Sequence, residues 1–251
     1  MKIVVIGGTG LIGSRVVTQL KALGHEAIAA SPNTGANTIT GEGLGEALSG
    51  AQAVIDVANS PSFEADAALD FFTTSGENLL AAGAAAGVTH HIALSVVGTD
   101  RLQSNGYFRA KLAQEELIKA SPIPWTILRS TQFFPFVAGI IQSGSAGDEV
   151  HLSSAMVQPV AAEDVVEALV EIVLGQPLNN TVEIAGPEAI RMDAFAQEYL
   201  DAREDRRKVV AESDGLYFGT LIDDRSLTPG PNARLGTVTL EDWLRSTITA
   251  D

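Results

Sequence analysis

Two patterns alternate along the chain, and together they predict its elements. "KIVVI" (2–6) is a short unbroken apolar run, the mark of a strand buried on both faces. Over 11–23, Leu11, Ile12, Val16, Val17, Leu20 and Leu23 fall on one helical face, and Gly24 stands where a helix cap is needed. The pair of patterns then repeats. Strands are predicted over 26–31, 51–59, 90–96 and 124–130. A short helix is predicted over 41–48, a long one over 64–86 closed by Gly87, and another over 107–120. This order predicts a parallel sheet with helices on both faces.

Past residue 131 the alternation loosens. "FFPFVAGII" (133–141) reads as a short apolar helix, and 156–175 as a strand, a cap region and a helix. A strand follows at 181–186 and a helix at 192–203. Residues 211–236 carry several Gly and Pro and few periodic signals, so loops are expected. A capping pattern opens a last helix over 239–248. The expectation is one compact unit, with a core of about 1–132 and 156–185 and a lobe of about 133–155 and 186–251.

Composition narrows the function classes. The 251 residues are 45% hydrophobic and 19% charged, a globular balance. A formal net charge of -15 repels a polyanion, so no nucleic-acid partner is expected. The absence of cysteine excludes disulfides, thiolate zinc sites and cysteine nucleophiles, and fits a cytoplasmic protein. The apolar start is too short for a secretory signal, and no run reaches a membrane span, so no membrane partner is expected.

"GGTGLIGSR" (7–15) sits between the first strand and the first helix. Gly7, Gly10 and Gly13 give G-x-x-G-x-x-G, while Gly8, Gly10 and Gly13 give the G-x-G-x-x-G dinucleotide fingerprint. Either spacing lets the chain turn sharply, lets backbone approach a pyrophosphate, and points the helix's free N–H groups at it. An NAD site also expects an acid about 20 residues further on, for the ribose 2′-hydroxyl. None stands near Ser31 and Pro32; the next acid is Glu42. A 2′-phosphate is therefore permitted, with Arg15 as a candidate ligand and Ser31, Asn33 and Thr34 as hydrogen-bonding neighbours. NADP(H) is favoured over NAD(H).

The candidate chemistry lies further on. The fourth strand ends at Ser95, and "YFRAK" places Tyr107 and Lys111 four apart on one helix face. A nearby ammonium lowers a phenol's pKa, and such a tyrosine can exchange a proton with a carbonyl oxygen while hydride moves. A serine at a strand end can anchor the same oxygen.

"GGTGLIG", "ALSVVG", "YFRAK", "TILRSTQFF" and "PVAAEDVVEAL" together resemble the short-chain dehydrogenase/reductase superfamily over about residues 1–185. Their details are similar to its atypical, NmrA-like NAD(P)H-binding branch. The resemblance implies a doubly wound parallel Rossmann sheet (α/β) with a small C-terminal α+β substrate lobe and a substrate cleft between the two. It implies that Tyr107, Lys111 and Ser95 match the family triad, with Lys111 also holding the nicotinamide ribose. It further implies that Thr131, Gln132 and Phe133 lie by the nicotinamide. The branch often carries an arginine after the second strand; Ser31 and Pro32 stand there instead.

The expected cofactor site comprises Gly7, Thr9, Gly10, Leu11, Ile12, Gly13, Arg15, Ser31, Asn33, Ala58, Asn59, Ser95, Lys111, Thr131 and Phe133. His25, His90, His91 and His151 read as structural, and no metal site is expected. Phe134 and Phe136 read as packing residues; Tyr217 and Phe218 are candidates to cover the substrate. The expected activity is NAD(P)H-dependent reduction of a small carbonyl- or quinone-like substrate by a monomer or homodimer. A non-catalytic NAD(P)H-sensing regulator is the alternative, and an isomerase or epimerase ranks below both.

Overall fold

The computed structural model describes residues 1–248. Two compact units make up the chain. The first comprises Met1–Ser95, Gly106–Arg129 and Val165–Val182; the second comprises Val96–Asn105, Ser130–Asp164 and the chain from Glu183 on.

In chain order the first elements are β1 (Lys2–Ile6), α1 (Leu11–Ala22), β2 (Glu26–Ala30), α2 (Leu44–Leu48) and β3 (Ala53–Asp56). They are followed by α3 (Ala65–Ala86), β4 (His90–Val96), α4 (Gly106–Ala120) and β5 (Trp125–Ser130). The seven-stranded sheet runs in the order Arg234–Leu235, Asn180–Ala185, β5, β4, β3, β1, β2. Strand β1 pairs in parallel with β2 on one side and β3 on the other, so that Ile6 lies opposite both Ala30 and Asp56. The chain thus crosses to opposite sides of β1 in turn. That reversal opens a crevice at the carboxyl ends of β1 and β3, where parallel sheets bind ligands.

The strands are buried because β-branched residues fill them and helices cover their faces. Val4, Ile6, Val54, Leu79, Ile118 and Ile127 form one core cluster. Helices α3 and α4 meet where Gly106 passes Ala65: a Cβ on Gly106 would lie 2.7 Å from the Ala65 Cα. Beside that crossing, Ala68, Phe72 and Ala110 form a small buried cluster with Tyr107 packed against it.

The second unit differs from the sequence expectation in three places. The predicted helix over 133–141 begins as a 3-10 turn, Phe134–Phe136, in which the Phe136 N–H donates to the Phe133 carbonyl at 2.9 Å; the α-helix is Val137–Gly144. The expected loops over 211–236 contain short strands, Leu216–Tyr217 paired with Thr220–Leu221, and Arg234–Leu235 at the edge of the large sheet. Lys208–Glu212 also pairs in parallel with Glu149–Ser153. The helix Met192–Ala202 carries Tyr199, which stacks on Trp243, and Trp243 stacks on Phe134 at 5.3 Å. Among the described residues no helix is long and apolar enough to cross a membrane.

Candidate functional site

The glycine turn is built for close backbone approach. Gly7 leaves β1 with φ +75 and donates its N–H to the Ala30 carbonyl at 2.9 Å. Gly8 threads between β1 and β2: a Cβ there would lie 2.6 Å from the Val5 oxygen and the Ala29 Cα. A Cβ on Gly13 would overlap the Gly7 carbonyl and lie 2.7 Å from the Gly8 Cα, so α1 can dock on the turn only with glycine there. Gly10 is different, since its Cβ would meet only the Gly7 oxygen, at 3.3 Å. That position is open outward.

Gly10 caps α1 without a side chain, and no acid stands in the helix's first turn. The positive end of α1 is thus left to an external anion. Thr9, Gly10, Leu11 and Arg15 are exposed at this tip, whereas Ile12 and Gly13 are buried and offer backbone only. The tight glycines and the uncapped helix end fit a pyrophosphate. A Cβ on Gly7 would also sit 2.9 Å from the Ala58 nitrogen, so the turn leans on the chain leaving β3.

The end of β2 offers no carboxylate. Ser31 is buried and its N–H donates to the Thr34 hydroxyl at 2.9 Å, closing a capped 3-10 turn over Pro32–Thr34. Asn33 is exposed on that turn.

The three residues expected to act together hold different partners. Tyr107 is half-buried and donates its hydroxyl to Asn59 Oδ1 at 3.0 Å, with Phe63 packed at 5.2 Å from its ring. Burial raises its pKa above the ordinary phenol value, so Tyr107 holds its proton firmly. The expected lowering by Lys111 is absent. Lys111 is 3% exposed and donates to the Leu94 carbonyl at 2.9 Å and to Gln114 Oε1, with its ammonium 4.4 Å from the centre of the Phe72 ring. Burial lowers its pKa to about 8, against the pull of Asp56 and Glu115.

Ser95 is 4% exposed and donates to Glu115 Oε1 at 2.7 Å. Arg129 grips the same carboxylate with two bonds, Nε at 2.8 Å and Nη2 at 2.7 Å. Burial pushes Glu115 up, but Arg129, Ser95 and Lys119 outweigh it and hold the carboxyl below the usual range. The single hydroxyl hydrogen of Ser95 is therefore committed to this ion pair. Ser95 can serve as donor to a substrate oxygen only by giving up Glu115, which departs from the anchoring role the resemblance implies.

The sequence reading passed over Asp56, Gln114, Glu115 and Arg129. Two of them carried a signal: Asp56 is an acid inside the apolar run "AVIDVA", and Gln114 stands three residues after Lys111 on the same helix face. Glu115 and Arg129 carried none, because their pairing joins α4 to β5 across intervening sequence.

In the second unit, Thr131 donates its hydroxyl to the Gln158 carbonyl at 2.6 Å, and Phe133 bridges to Val160. Gln132 is 6% exposed, and its side-chain nitrogen and oxygen both lack hydrogen-bond partners. Phe218 adopts a left-handed backbone, φ +46, with its ring 4.9 Å from Tyr217 and 5.6 Å from Phe136. Among the described residues no group of three His, Cys, Asp or Glu is arranged to hold a metal.

Comparison with known proteins places this geometry in a family. The chain is 28% identical over 206 residues to a (4-alkanoyl-5-oxo-2,5-dihydrofuran-3-yl)methyl phosphate reductase of Streptomyces griseus, covering 75% of this chain and 69% of the relative. Among solved structures it superposes on MoeE5 in complex with UDP-glucuronic acid and NAD, with TM-score 0.76 and 18% identity over 99% of this chain and 98% of the other. It also superposes on dTDP-4-dehydrorhamnose reductase of Bacillus anthracis in complex with NADP, with TM-score 0.75 and 15% identity over 100% of both chains. At those identities the two structures share the Rossmann-like fold. The model of a family described as NAD(P)H-binding matches residues 7–175, and the chain belongs to that NAD(P)H-binding family.

Proposed function

We propose that the protein is an NAD(P)H-dependent reductase of the short-chain dehydrogenase/reductase type, acting on a small carbonyl- or quinone-like acceptor. The observation that carries this reading is the Tyr107–Asn59 hydrogen bond. It places a protonated phenol on the segment leaving β3, beside Ala58, against which the glycine turn leans. The streptomycete relative, named as a reductase of an alkanoyl-oxo-dihydrofuran phosphate, supports a carbonyl-bearing substrate.

In this reading the nicotinamide, when bound, supplies the hydride. The turn Gly7–Gly13 holds the pyrophosphate on backbone N–H groups, with Ala58 and Asn59 beside it. Tyr107 turns its hydroxyl from Asn59 Oδ1 to the substrate oxygen and gives its proton there as charge develops. A tyrosine with a raised pKa starts the reductive direction protonated and is poorly suited to start as a phenolate base. Lys111 keeps a positive charge buried one turn along α4; with its ammonium on Leu94 and Gln114 it acts on the phenolate left after donation only at a distance, as electrostatic background and not as a direct partner.

NADP(H) is proposed over NAD(H), because no acid stands between Ser31 and Glu42 and the exposed Arg15 lies just past the first turn of α1. The proposed setting is the cytoplasm, in keeping with a cysteine-free chain. The engagement of Ser95 by Glu115 favours a second reading, a redox-sensing binding protein without turnover. Titration with NADPH, NADH and their oxidised forms, followed by a screen of carbonyls, quinones and imines, separates the two. Sustained NADPH oxidation with one acceptor supports the reductase; tight binding with no turnover of any acceptor supports the sensor.

A further inference from the structure

A buried polar chain runs beneath the candidate site. Its first link is the Leu94 carbonyl near the end of β4, which accepts from Lys111. Lys111 also donates to Gln114 Oε1, and Gln114 Nε2 donates to Asp56 Oδ2 at 2.9 Å. Asp56 Oδ1 accepts the N–H of Ala58 at 3.1 Å. Asp56, Lys111 and Gln114 are all less than 5% exposed.

The chemistry of these groups fixes the direction of every bond. An ammonium only donates, so it faces the amide oxygen of Gln114. The amide nitrogen is then left to donate to Asp56, which receives one donor on each oxygen; burial pushes its pKa up, and Lys111, the Ala58 N–H and Gln114 pull against that rise. The amide thereby couples a buried cation to a buried anion that do not touch. Each charge would be costly to bury alone.

We propose that Gln114 and Asp56 are positioning residues for Lys111: the amide fixes the ammonium under the Leu94 carbonyl, and the carboxylate, acting through that amide, keeps it charged. The proposal rests on the reading that Lys111 serves the reductase chemistry of Tyr107. The elements around Lys111 offer few competitors. Strand β3 brings Asp56, β4 a backbone carbonyl, and α3 the Phe72 ring; α4 itself brings Tyr107 and Glu115, the latter gripped by Arg129. Burial lowers the Lys111 pKa to about 8, with Asp56 the larger of the two carboxyl influences opposing it. The charge of Lys111 is thus poised where a change at Asp56 or Gln114 is visible.

The test is the titration of Lys111 in the whole protein, read by NMR from ¹³Cε-labelled lysine; the sequence has five lysines, which keeps assignment tractable. Asp56→Asn removes the carboxylate and is expected to lower the Lys111 midpoint by about one pH unit. Gln114→Glu places a carboxylate directly on the ammonium and is expected to raise it by about one unit or more. The alkaline limb of kcat against pH is expected to move with the midpoint in each variant. Shifts that are absent, or that run in the same direction, overturn the proposal, as does a kcat limb that ignores a moved midpoint. The two variants fail independently if one does not fold. The NMR titration needs no substrate, so a protein that turns over no acceptor sinks the reductase reading and still reports on the coupling.

Discussion

Ser95 gives its hydroxyl hydrogen to Glu115 across 2.7 Å, and Arg129 holds the same carboxylate with two further bonds. This relationship ties β4, α4 and β5 together and gives Ser95 a structural task. Ser95→Ala is expected to cost about 1.5–3 kcal/mol of stability, the worth of a hydrogen bond to a charged group. Its effect on kcat should fall well short of the roughly 10²–10⁴-fold loss typical of a missing proton donor. Chemical denaturation beside steady-state kinetics checks both. A variant of unchanged stability and abolished turnover would place Ser95 on the substrate.

The glycine turn makes a sharper distinction between folding and binding. Gly13→Ala forces a methyl into the Gly7–Gly8 backbone, an overpacking cost of about 1–3 kcal/mol. Gly10→Ala meets only the Gly7 oxygen, at 3.3 Å, on the outward side. The expected result is a lowered Tm for Gly13→Ala. Gly10→Ala should lower Tm less than Gly13→Ala does and lose about tenfold or more in NADPH affinity. Calorimetric titration of the two variants decides; undiminished affinity in Gly10→Ala would move the phosphates away from the turn.

The adjacent histidines on β4 predict acid sensitivity. Burial lowers both His90 and His91 to about 4, and the Nε2 atom of His91 has no hydrogen-bond partner. The unfolded chain takes up these protons near pH 6.5, while the folded chain refuses them until about 4. Between those values the unfolded state binds more protons, so stability falls as pH falls. For the fully buried His91 the effect is on the order of 3 kcal/mol. His91→Phe should flatten denaturation midpoints over this window; a slope as steep as that of the parent protein would contradict the assignment.

Gln132 carries a buried amide with no partner at either atom. Such a group costs about 1–3 kcal/mol. Gln132→Leu, of similar size, is expected to raise stability by about that amount in the cofactor-free protein. A loss of stability in a thermal melt would show instead that the amide is satisfied by bound water.

Much of the first unit was legible from periodicity. β1 and α1 follow unbroken apolar runs and a clear helical face, because their burial is decided locally. The glycine turn was equally readable, since its requirement is steric and sits within seven consecutive residues. The strands at 149–153 and 208–212 were not: the second has no buried residue to mark it, and the parallel pairing of the two joins segments far apart in sequence. The same reason hid Arg129 from Glu115. The spacing of Tyr107 and Lys111 was legible, but their partners were not. A shared helix face says nothing of whether the ammonium turns toward the phenol or, as here, toward Leu94 and Gln114.

The central claim is that this chain carries out reduction with the cofactor its family binds, and that Tyr107 supplies the proton. Its most direct test is the transfer of label from NADPH deuterated at one face of C4 to an acceptor, in the parent protein and in Tyr107→Phe. One deuterium is expected in the reduced product, from one face alone. In Tyr107→Phe turnover is expected to slow roughly 10²–10⁴-fold with cofactor affinity preserved. Tight NADPH binding with no label in any acceptor, or equal turnover in the two proteins, would contradict the claim.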